Sequence, residues 1–449
     1  MTGIGIKELE DLGIDTVIIA GADMQGRLFG KRMSPKTFRS KLDEGLHICT
    51  CVYAWDIAQA LEGVHVDFTG AHTGWHDFRL VPDLSTLRRA AWLDGTAICL
   101  GDATDEDGEP LPIAPRSILR RQVEGLAAQG LTAAVATELE FHLFLGRPEA
   151  IRSARYRDLT PTTLSHADYN VFEGNAMDPF FRGLRRALDE SEIPVDVAQV
   201  EYGLGQWEIN LQHADPVAMA DRHVLYKLAV KDSAAANGYT ATFMPRPFAD
   251  EIGSSCHIHA SLEDEVGRPV FHDDTAERGA SAELLSAVGG ALDHAAELMC
   301  WYAPTINSYK RTSRHDFAGN GLTWGFDNRT VSVRVLTGHP GSTRMEFRVP
   351  GADVNPYLAL AGLLASMHDG MDKQTDPGPP RVGDAYEHAS NALPTDLSAA
   401  ADLFGRSPWV ADTFGRDVVR HYEAMARFEC ERFSRTVTDW ELDRYFEAI

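Results

Sequence analysis

Four short stretches of this 449-residue chain alternate polar and apolar residues and carry acids or histidines at every second position. They are TELEFHLF at 137–144, VEYGLGQWEINL at 200–211, SSCHIHASL at 254–262 and RMEFRVP at 344–350. Successive strand side chains point to opposite faces, so Glu138 and Glu140 share one face of the first stretch. The same period predicts a shared face for His257 and His259. Each stretch is therefore predicted to be a strand with one chemically active face.

Several unpaired carboxylates on the inner face of a sheet would cost several kcal/mol per charge, so a cation is expected among them. Carboxylate oxygens suit hard divalent ions such as Mg²⁺, and an imidazole ligand moves the preference toward Mn²⁺. Each stretch taken alone could instead be an ordinary amphipathic strand with a solvated polar face. Four such stretches in one chain favour the metal site.

The same residues resemble a known family. TELEFHLF, the spacing from Glu201 to Glu208, and six further segments look like glutamine synthetase, in that family's order and over nearly the whole chain. The further segments are ATFMPRPF at 241–248, GSSCHIHAS at 253–261, NSYKR at 307–311, DNR at 327–329, STRMEFR at 342–348 and NPYLALAGLLAS at 355–366. Each segment is a weak signal, whereas the ordered set is a strong one.

Hydrophobic periodicity predicts an α+β fold. Strand-like segments in the first hundred residues, among them 48–55, resemble the β-grasp domain that opens glutamine synthetases, and we assign it to residues 1–105. Helices with apolar residues three and four apart then alternate with the four stretches, which predicts a catalytic domain at 106–449 with a curved antiparallel sheet backed by helices. The helices are predicted at 115–129, 179–191, 216–237, 280–299 and 356–371.

Composition limits the function classes. The chain has 42 basic and 66 acidic residues and a formal charge of −24, which argues against nucleic acid or anionic membrane as a partner. No apolar run is long enough to span a membrane, and the N-terminus lacks the features of a signal peptide. Six cysteines without CxxC pairs indicate neither a disulfide framework nor a zinc site. We therefore expect a cytoplasmic protein that acts on small molecules.

The resemblance implies that ATP activates the side-chain carboxylate of L-glutamate as an acyl phosphate, which an amine then attacks. Two or more Mg²⁺ or Mn²⁺ ions would assist. The metal ligands implied are Glu140, Glu201 and Glu208 for one ion, and Glu138, His257 and Glu346 for a second. Taken singly, a strand histidine is more often a core residue than a ligand, and Glu201 could simply cap a turn.

The resemblance also implies contacts to the substrates. The residues expected at glutamate and its activated carboxylate are Gly253, His257, Arg311 and Arg348. The residues expected at ATP are Arg329 and Arg344 for the phosphates, and His259 and Ser261 for the nucleotide. An arginine on a strand is usually a surface charge, so the assignment depends on the whole set lining one face.

Departures from the family pattern carry the substrate hypothesis. Ammonia-using members have a glutamate in the loop after NSYKR, where this chain has Phe317, and a neighbouring subunit supplies an aspartate, here Asp56. A phenyl ring cannot accept a proton but can line a pocket for an organic amine. Ile252 and Gly341 replace an asparagine and a lysine of the family, and Asn391 replaces a tyrosine that some bacterial members adenylylate. We therefore expect a γ-glutamyl amide as product and no adenylylation.

Two alternatives remain open at this stage. One is a glutamine synthetase that uses ammonia, and the other is a non-catalytic assembly protein, which the intact set of six metal ligands disfavours. The resemblance further implies a homo-oligomer, a dodecamer of two stacked hexameric rings, with active sites between subunits.

Overall fold

The structure is a computed structural model that describes residues 5–312, 317–319, 321–388 and 393–449. Asn391 lies outside the described residues, so the prediction about adenylylation is not addressed by the structure. Two β-sheets organise the described part, one near the N-terminus and a larger one behind the four predicted stretches.

The N-terminal sheet has six strands in the order β2-β1-β6-β4-β3, with β5 paired to β6. Strands β1 and β6 are parallel, and the other pairs are antiparallel. A single short helix, α1 (Pro35–Ser40), begins where the Ser34 hydroxyl accepts a hydrogen bond from the Thr37 amide. The strands are β1 (Thr16–Ala22), β2 (Leu28–Met33), β3 (Leu46–Cys49), β4 (Asp77–Pro82), β5 (Arg88–Arg89) and β6 (Thr96–Thr104).

The larger sheet has nine strands in the order β13-β14-β15-β12-β7-β10-β9, with β8 and β11 also paired to β7. Its pairs are antiparallel except β13 with β14. Its strands are β7 (Thr132–Leu145), β8 (Thr160–Pro161), β9 (Val195–Val200), β10 (Gln206–Leu211), β11 (Tyr239–Thr242), β12 (Cys256–Glu263), β13 (Trp324–Phe326), β14 (Val333–Leu336) and β15 (Arg344–Phe347). The four predicted stretches thus lie in one sheet, and the predicted α+β architecture is confirmed.

Helices back this sheet, with α6 against β7 and α7 against β14 and β15. The central helix α10 is buried over most of its length and packs on α2, α6 and α7. A Cβ on Gly290 would lie 2.1 Å from the Ser366 carbonyl oxygen, so glycine allows the backbones of α7 and α10 to touch. The helices after α1 are α2 (Pro115–Ala127), α3 (Pro148–Ser153), α4 (Val171–Ala176), α5 (Asp178–Glu190), α6 (Pro216–Ala236), α7 (Ala282–Ala295), α8 (Met299–Tyr302), α9 (Ser308–Thr312), α10 (Pro356–Lys373), α11 (Leu397–Arg406), α12 (Pro408–Phe414), α13 (Arg416–Ser434) and α14 (Asp439–Tyr445). Within the described ranges, none is long and apolar enough to cross a membrane.

One predicted strand is shorter than expected. The segment 48–55 leaves the sheet after Cys49 and forms a 3₁₀ turn at Thr50–Tyr53. The reason is local, because the Cys49 sulfur accepts a hydrogen bond from the Cys51 amide and the Thr50 hydroxyl donates to the His76 carbonyl. Asp56 consequently lies in a loop.

An ion cluster joins the end of the N-terminal sheet to helices α2 and α6. Arg116 at the start of α2 binds Asp221 of α6 and the aspartates Asp83 and Asp102 of the N-terminal sheet. The Tyr357 hydroxyl on α10 donates to Asp221 at 2.7 Å. We propose that the domain boundary stays at residue 105, directly after β6, with this cluster as the junction.

Candidate active site

The register of the large sheet brings acids and histidines of distant segments side by side. Strand β7 lies between β10 and β12, so Glu140 is opposite Glu208 and Glu138 is opposite His257. On the other edge of β12, His259 is opposite Glu346 of β15. Paired residues share a face of a sheet, so these side chains lie on one face of the large sheet.

The first group of acids surrounds Glu140. Its Oε2 accepts hydrogen bonds from the Gln206 amide at 2.7 Å and the Ser255 backbone N–H at 2.9 Å. Nearby, the Gln199 amide donates to Glu201 at 2.8 Å and to Glu208 at 3.2 Å. Glu201 is in the β9–β10 connection, where no strand fixes its face, and Gln199 joins it to the carboxylate on β10.

These three carboxyls repel one another in a buried place. Burial and the Glu201 charge raise the pKa of Glu140 to about 8. Burial also raises the pKa of Glu201 to about 7, with Asp168 adding to the effect. The pKa of Glu208 is raised well above its ordinary value by burial and by the charge of Glu140. A divalent cation among the three carboxyls would relieve this repulsion. A purely structural role would not require three acids to be buried together.

The second group lies around Glu138. Its Oε2 is 3.5 Å from Nδ1 of His257, and its Oε1 is 2.8 Å from Nε2 of His259. Nδ1 of His257 is also 3.6 Å from Oε1 of Glu346. One ligand atom each from Glu138, His259 and Glu346 lie within 4.8 Å of one another. The geometry thus brings both imidazoles to the carboxylates.

Hydrogen bonding separates the two histidines. Nε of Arg344 donates to Nδ1 of His259 at 3.0 Å, so the proton of a neutral His259 ring lies on Nε2 and leaves no lone pair there. Nε2 of both rings lacks a hydrogen-bond partner among the described residues, so only the contact with Arg344 distinguishes them. Burial, then the Arg348 charge, lowers the pKa of His257 to about 4 and keeps it neutral, as a metal ligand must be. The neutral ring of His257 supports it as the ligand, whereas the compact group of ligand atoms contains His259 instead, so His257 stays a prediction.

Two arginines bind the Glu346 carboxylate. Arg348 binds Glu346 through one guanidinium nitrogen and the Phe317 carbonyl through another, at 3.1 Å. Arg334 on β14 binds the other Glu346 oxygen at 3.0 Å and also holds Asp327. Burial raises the pKa of Glu346, but Arg348 and the nearby histidines outweigh it and lower that pKa overall.

Arg311 is fully buried. Its guanidinium donates to the Ser255 hydroxyl at 3.0 Å and to the carbonyls of Arg348 and Val349 at 3.1 and 2.9 Å. A Cβ on Gly253 would lie 2.8 Å from Cγ of Arg311. Gly253 is therefore needed for the approach of this arginine, as well as for the substrate access proposed from the sequence.

Three of the predicted residues are not in contact with the acid groups. Arg329 lines a cavity of about 1130 Å³ with Trp324 and Phe326 at the edge of the sheet. The carboxylate of Asp56 accepts hydrogen bonds from the amides of Ala58 and Ala60 and lies 3.3 Å from Arg432. Ser261 continues the face of His259 along β12, two residues further. Their roles remain proposals.

Phe317 lies beside Arg348. Its side chain is 55% exposed, its φ of 56° is unusual for a bulky residue, and its carbonyl accepts the Arg348 bond. This contact places the backbone of Phe317 next to the arginine that is proposed to hold the activated carboxylate.

Sequence reasoning missed three polar residues. Arg334 lies in Val333–Leu336, a segment with the same alternation as the four stretches, and this pattern could have revealed it. Gln206 lies two positions before Glu208 on the same strand face, so the same alternation could have revealed it. Gln199 had no such signal, because its contact with Glu208 depends on the register of β9 and β10, in which the two residues are paired.

The donor set fits divalent cations. Six side chains supply carboxylate oxygens and one imidazole nitrogen, and burial makes an uncompensated acid cluster costly. The residues that would hold the ions are Glu138, Glu140, Glu201, Glu208, His257 and Glu346.

Comparison with known proteins agrees with this geometry. The family described as "Glutamine synthetase, catalytic domain" matches residues 112–445. The chain belongs to the glutamine synthetase family. Members of this family are ligases that use ATP and divalent metal ions.

Among relatives, the γ-glutamylethanolamide synthetase of Streptomyces coelicolor is 40% identical over 99% of this chain and 96% of its own. The glutamate–isopropylamine ligase of a Pseudomonas species is 35% identical over 98% and 97%. A solved GmaS–ADP complex superposes with a TM-score of 0.86 at 25% identity, covering 99% of this chain and all of that one. Both relatives are named for an organic amine, one for the amide of ethanolamine and the other for isopropylamine.

The raised carboxyl pKa values predict a pH-dependent response to metal. Between pH 6.5 and 8 the metal-free folded protein holds protons on Glu140 and Glu201 that the unfolded chain, with ordinary pKa values near 4.3, has lost. Its stability should therefore fall as pH rises through this window. Mg²⁺ replaces those protons, so its stabilising effect should grow.

Thermal unfolding with Mg²⁺ and with EDTA, across this pH range, measures the difference. We expect the gap in Tm to widen from pH 6.5 to 8, and to widen less in Glu140→Gln. A gap that is constant with pH in the wild-type protein would contradict the placement of metal on these carboxylates.

Proposed function

We propose that this protein is an ATP-dependent ligase that joins the γ-carboxylate of L-glutamate to an organic amine and releases ADP and phosphate. The observation that carries the proposal is the one sheet face on which four strands bring carboxylates and imidazoles together, next to Arg348 and Arg344. Because ATP is a substrate and the cysteines show no disulfide pattern, we propose that the reaction takes place in the cytoplasm.

The reaction needs neutralisation and alignment more than covalent help from the protein. Bound Mg²⁺ or Mn²⁺ ions supply positive charge to the phosphates and to the activated carboxylate. Arg311 and Arg348 hold glutamate, whose γ-carboxylate oxygen attacks the terminal phosphorus of ATP and expels ADP. Arg344 and Arg329 bind phosphate oxygens, and His259 and Ser261 contact the nucleotide. Gly253 leaves room for the amino acid backbone.

In the second step the neutral amine attacks the acyl carbon and phosphate leaves. At neutral pH the amine arrives as an alkylammonium ion and loses a proton to solvent before it attacks. Phe317 carries no basic group. Its ring contributes apolar contact to the carbon chain of an organic amine, whereas ammonium has no carbon chain to make that contact. The names of the two relatives, which act on ethanolamine and isopropylamine, support an organic amine over ammonia.

The direct test measures phosphate release with ATP, Mg²⁺ and L-glutamate across a panel of amines that includes ammonia, ethanolamine and isopropylamine. We expect glutamate-dependent release with at least one organic amine, and a higher kcat/KM for it than for ammonia. Preference for ammonia over every amine would make the protein a glutamine synthetase, and absence of release with all of them would support the assembly role.

We also propose a dodecamer of two stacked hexameric rings with shared active sites. Asp56, the residue expected at a neighbour's site, is held in a fixed loop by its own chain. The C-terminal segment around α14 exposes apolar side chains, which is typical of an interface. They include Val437, Trp440, Phe446 and Ile449, with exposures of 68%, 60%, 78% and 99%.

Light scattering of the full chain and of a chain ending at Thr436 tests the assembly. We expect a twelve-subunit mass for the first and a smaller assembly for the second. A fully active wild-type monomer would rule out the shared site.

A further inference from the structure

Helix α9 begins at a pair of hydroxyls that one carboxylate holds together. The Thr305 amide donates to the Ser308 hydroxyl at 3.0 Å, and the Ser308 amide donates to the Thr305 hydroxyl at 3.2 Å. Both hydroxyls in turn donate to Oδ2 of Asp353, at 2.8 and 2.6 Å. Hydrogen bonds to a charged acceptor are stronger than those between neutral groups. Asp353 therefore fixes the start of a helix that is distant from it in the sequence.

Asp353 is itself tied to the large sheet and to α6. The neighbouring Ala352 amide donates to the Ser254 carbonyl at 3.1 Å, just before β12. The Ala352 carbonyl accepts a hydrogen bond from the Lys227 ammonium group of α6, also at 3.1 Å. Burial raises the pKa of Asp353, while its hydrogen bonds with the two hydroxyls and the charge of Lys227 counteract that rise. This acid has no role in the reaction proposed above.

The helix that Asp353 holds also carries Arg311. Helix α9 has five residues, and Arg311 lies about one turn after Ser308. Within the described part of the chain, the Arg311 guanidinium donates to neutral acceptors, one hydroxyl and two carbonyls. Burial lowers the pKa of Arg311, and the charges of Glu140 and Asp353 counteract that change. Asp353 thus acts on Arg311 both through the helix and through its negative charge.

We propose that Asp353 is a positioning residue for glutamate binding. Through Thr305 and Ser308 it fixes α9, and α9 fixes the Arg311 guanidinium beside Ser255 in the candidate active site. Loss of either hydroxyl removes one of the two bonds that hold the first turn of α9, so the guanidinium loses its fixed position. The effect on glutamate rests on the proposed function, whereas the anchoring of α9 does not.

The anchoring is tested with two variants that make the same chemical change. Thr305→Val removes a hydroxyl that donates to Asp353, whereas Thr312→Val removes one that donates to the Tyr309 carbonyl within α9, at 3.3 Å. Amide hydrogen exchange of the full chain, followed by mass spectrometry of peptides that cover Ser308–Thr312, measures the local order. We expect exchange there at least about fivefold faster than wild type in Thr305→Val and little changed in Thr312→Val. Equal exchange in the two variants would overturn the anchoring.

Steady-state kinetics tests the effect on glutamate. Thr305→Val and Ser308→Ala should each raise KM for glutamate at least about fivefold, with KM for ATP within about twofold of wild type. Thr312→Val should change neither value. A loss of order without a specific role would move both KM values together, and that outcome, or an unchanged KM for glutamate, would overturn the positioning role.

A double variant shows whether the hydroxyl acts through the carboxylate. Asp353→Ala removes both hydrogen bonds, so adding Thr305→Val to it should leave KM for glutamate unchanged. A further fivefold rise would mean that Thr305 acts independently of Asp353 and would overturn the proposal. If Asp353→Ala does not fold, the two hydroxyl variants still decide, because they keep the charge. If the wild-type protein releases no phosphate with any amine, the proposed function fails, while hydrogen exchange still decides the anchoring of α9.

Discussion

Glu140→Gln is expected to lower kcat more than about 100-fold while the protein stays folded. Changes to residues that merely support a metal ligand already cost 10–100-fold in affinity or activity, so loss of a direct ligand should cost at least as much. The substitution keeps the shape of the side chain and can retain the hydrogen-bonded position beside Gln206 and Ser255. It removes the charge that aligns the cation at the acyl phosphate.

The same substitution should not destabilise the metal-free protein. Because Glu140 and Glu208 repel each other in the folded state, neutralising one of them relieves that repulsion. The measurements are phosphate release at saturating Mg²⁺ and Tm in EDTA, with Glu190→Gln, an exposed acid at the end of α5, as the matched control. Wild-type turnover in folded Glu140→Gln would remove this residue from the metal site.

The second large effect is expected at Phe317. Burial contributes about 0.8 kcal/mol per methylene, so an amine of three or four carbons gains on the order of 2–3 kcal/mol over ammonia. This corresponds to a preference of roughly 100-fold in kcat/KM. Phe317→Glu should reduce that preference at least about tenfold, because a carboxylate stabilises ammonium and can take its proton.

Phe317→Leu is the matched control, since it keeps an apolar side chain of similar size without a charge. We expect it to retain most of the preference for the organic amine. The values needed are kcat/KM for ammonia and for a series of primary amines in all three proteins. If Phe317→Glu and Phe317→Leu change the ratio equally, the residue does not select the amine through its polarity.

The order of motifs and the period of two allowed much of this molecule to be predicted. The alternation in 137–144 fixes Glu138 and Glu140 on one face of a strand, whatever that strand pairs with, since side-chain direction is a local property of extended backbone. The same holds for His257 with His259. The helical periods likewise predicted α2, α5, α6, α7 and α10 with ends within a few residues, because apolar spacing and proline at the first turn are local signals.

Which faces meet was decided only by the tertiary structure. That Glu140 is opposite Glu208, and His259 opposite Glu346, depends on strand register between segments 68 and 87 residues apart, and alternation carries no information about register. The alternation places Arg344 and Arg348 on one face. In the structure Arg344 binds His259 and Arg348 binds Glu346, and the alternation does not predict these different partners. The contact of Asp353 with Thr305 and Ser308 is likewise invisible in the sequence. A local pattern fixes the direction of a side chain, whereas its partners are fixed by long-range packing.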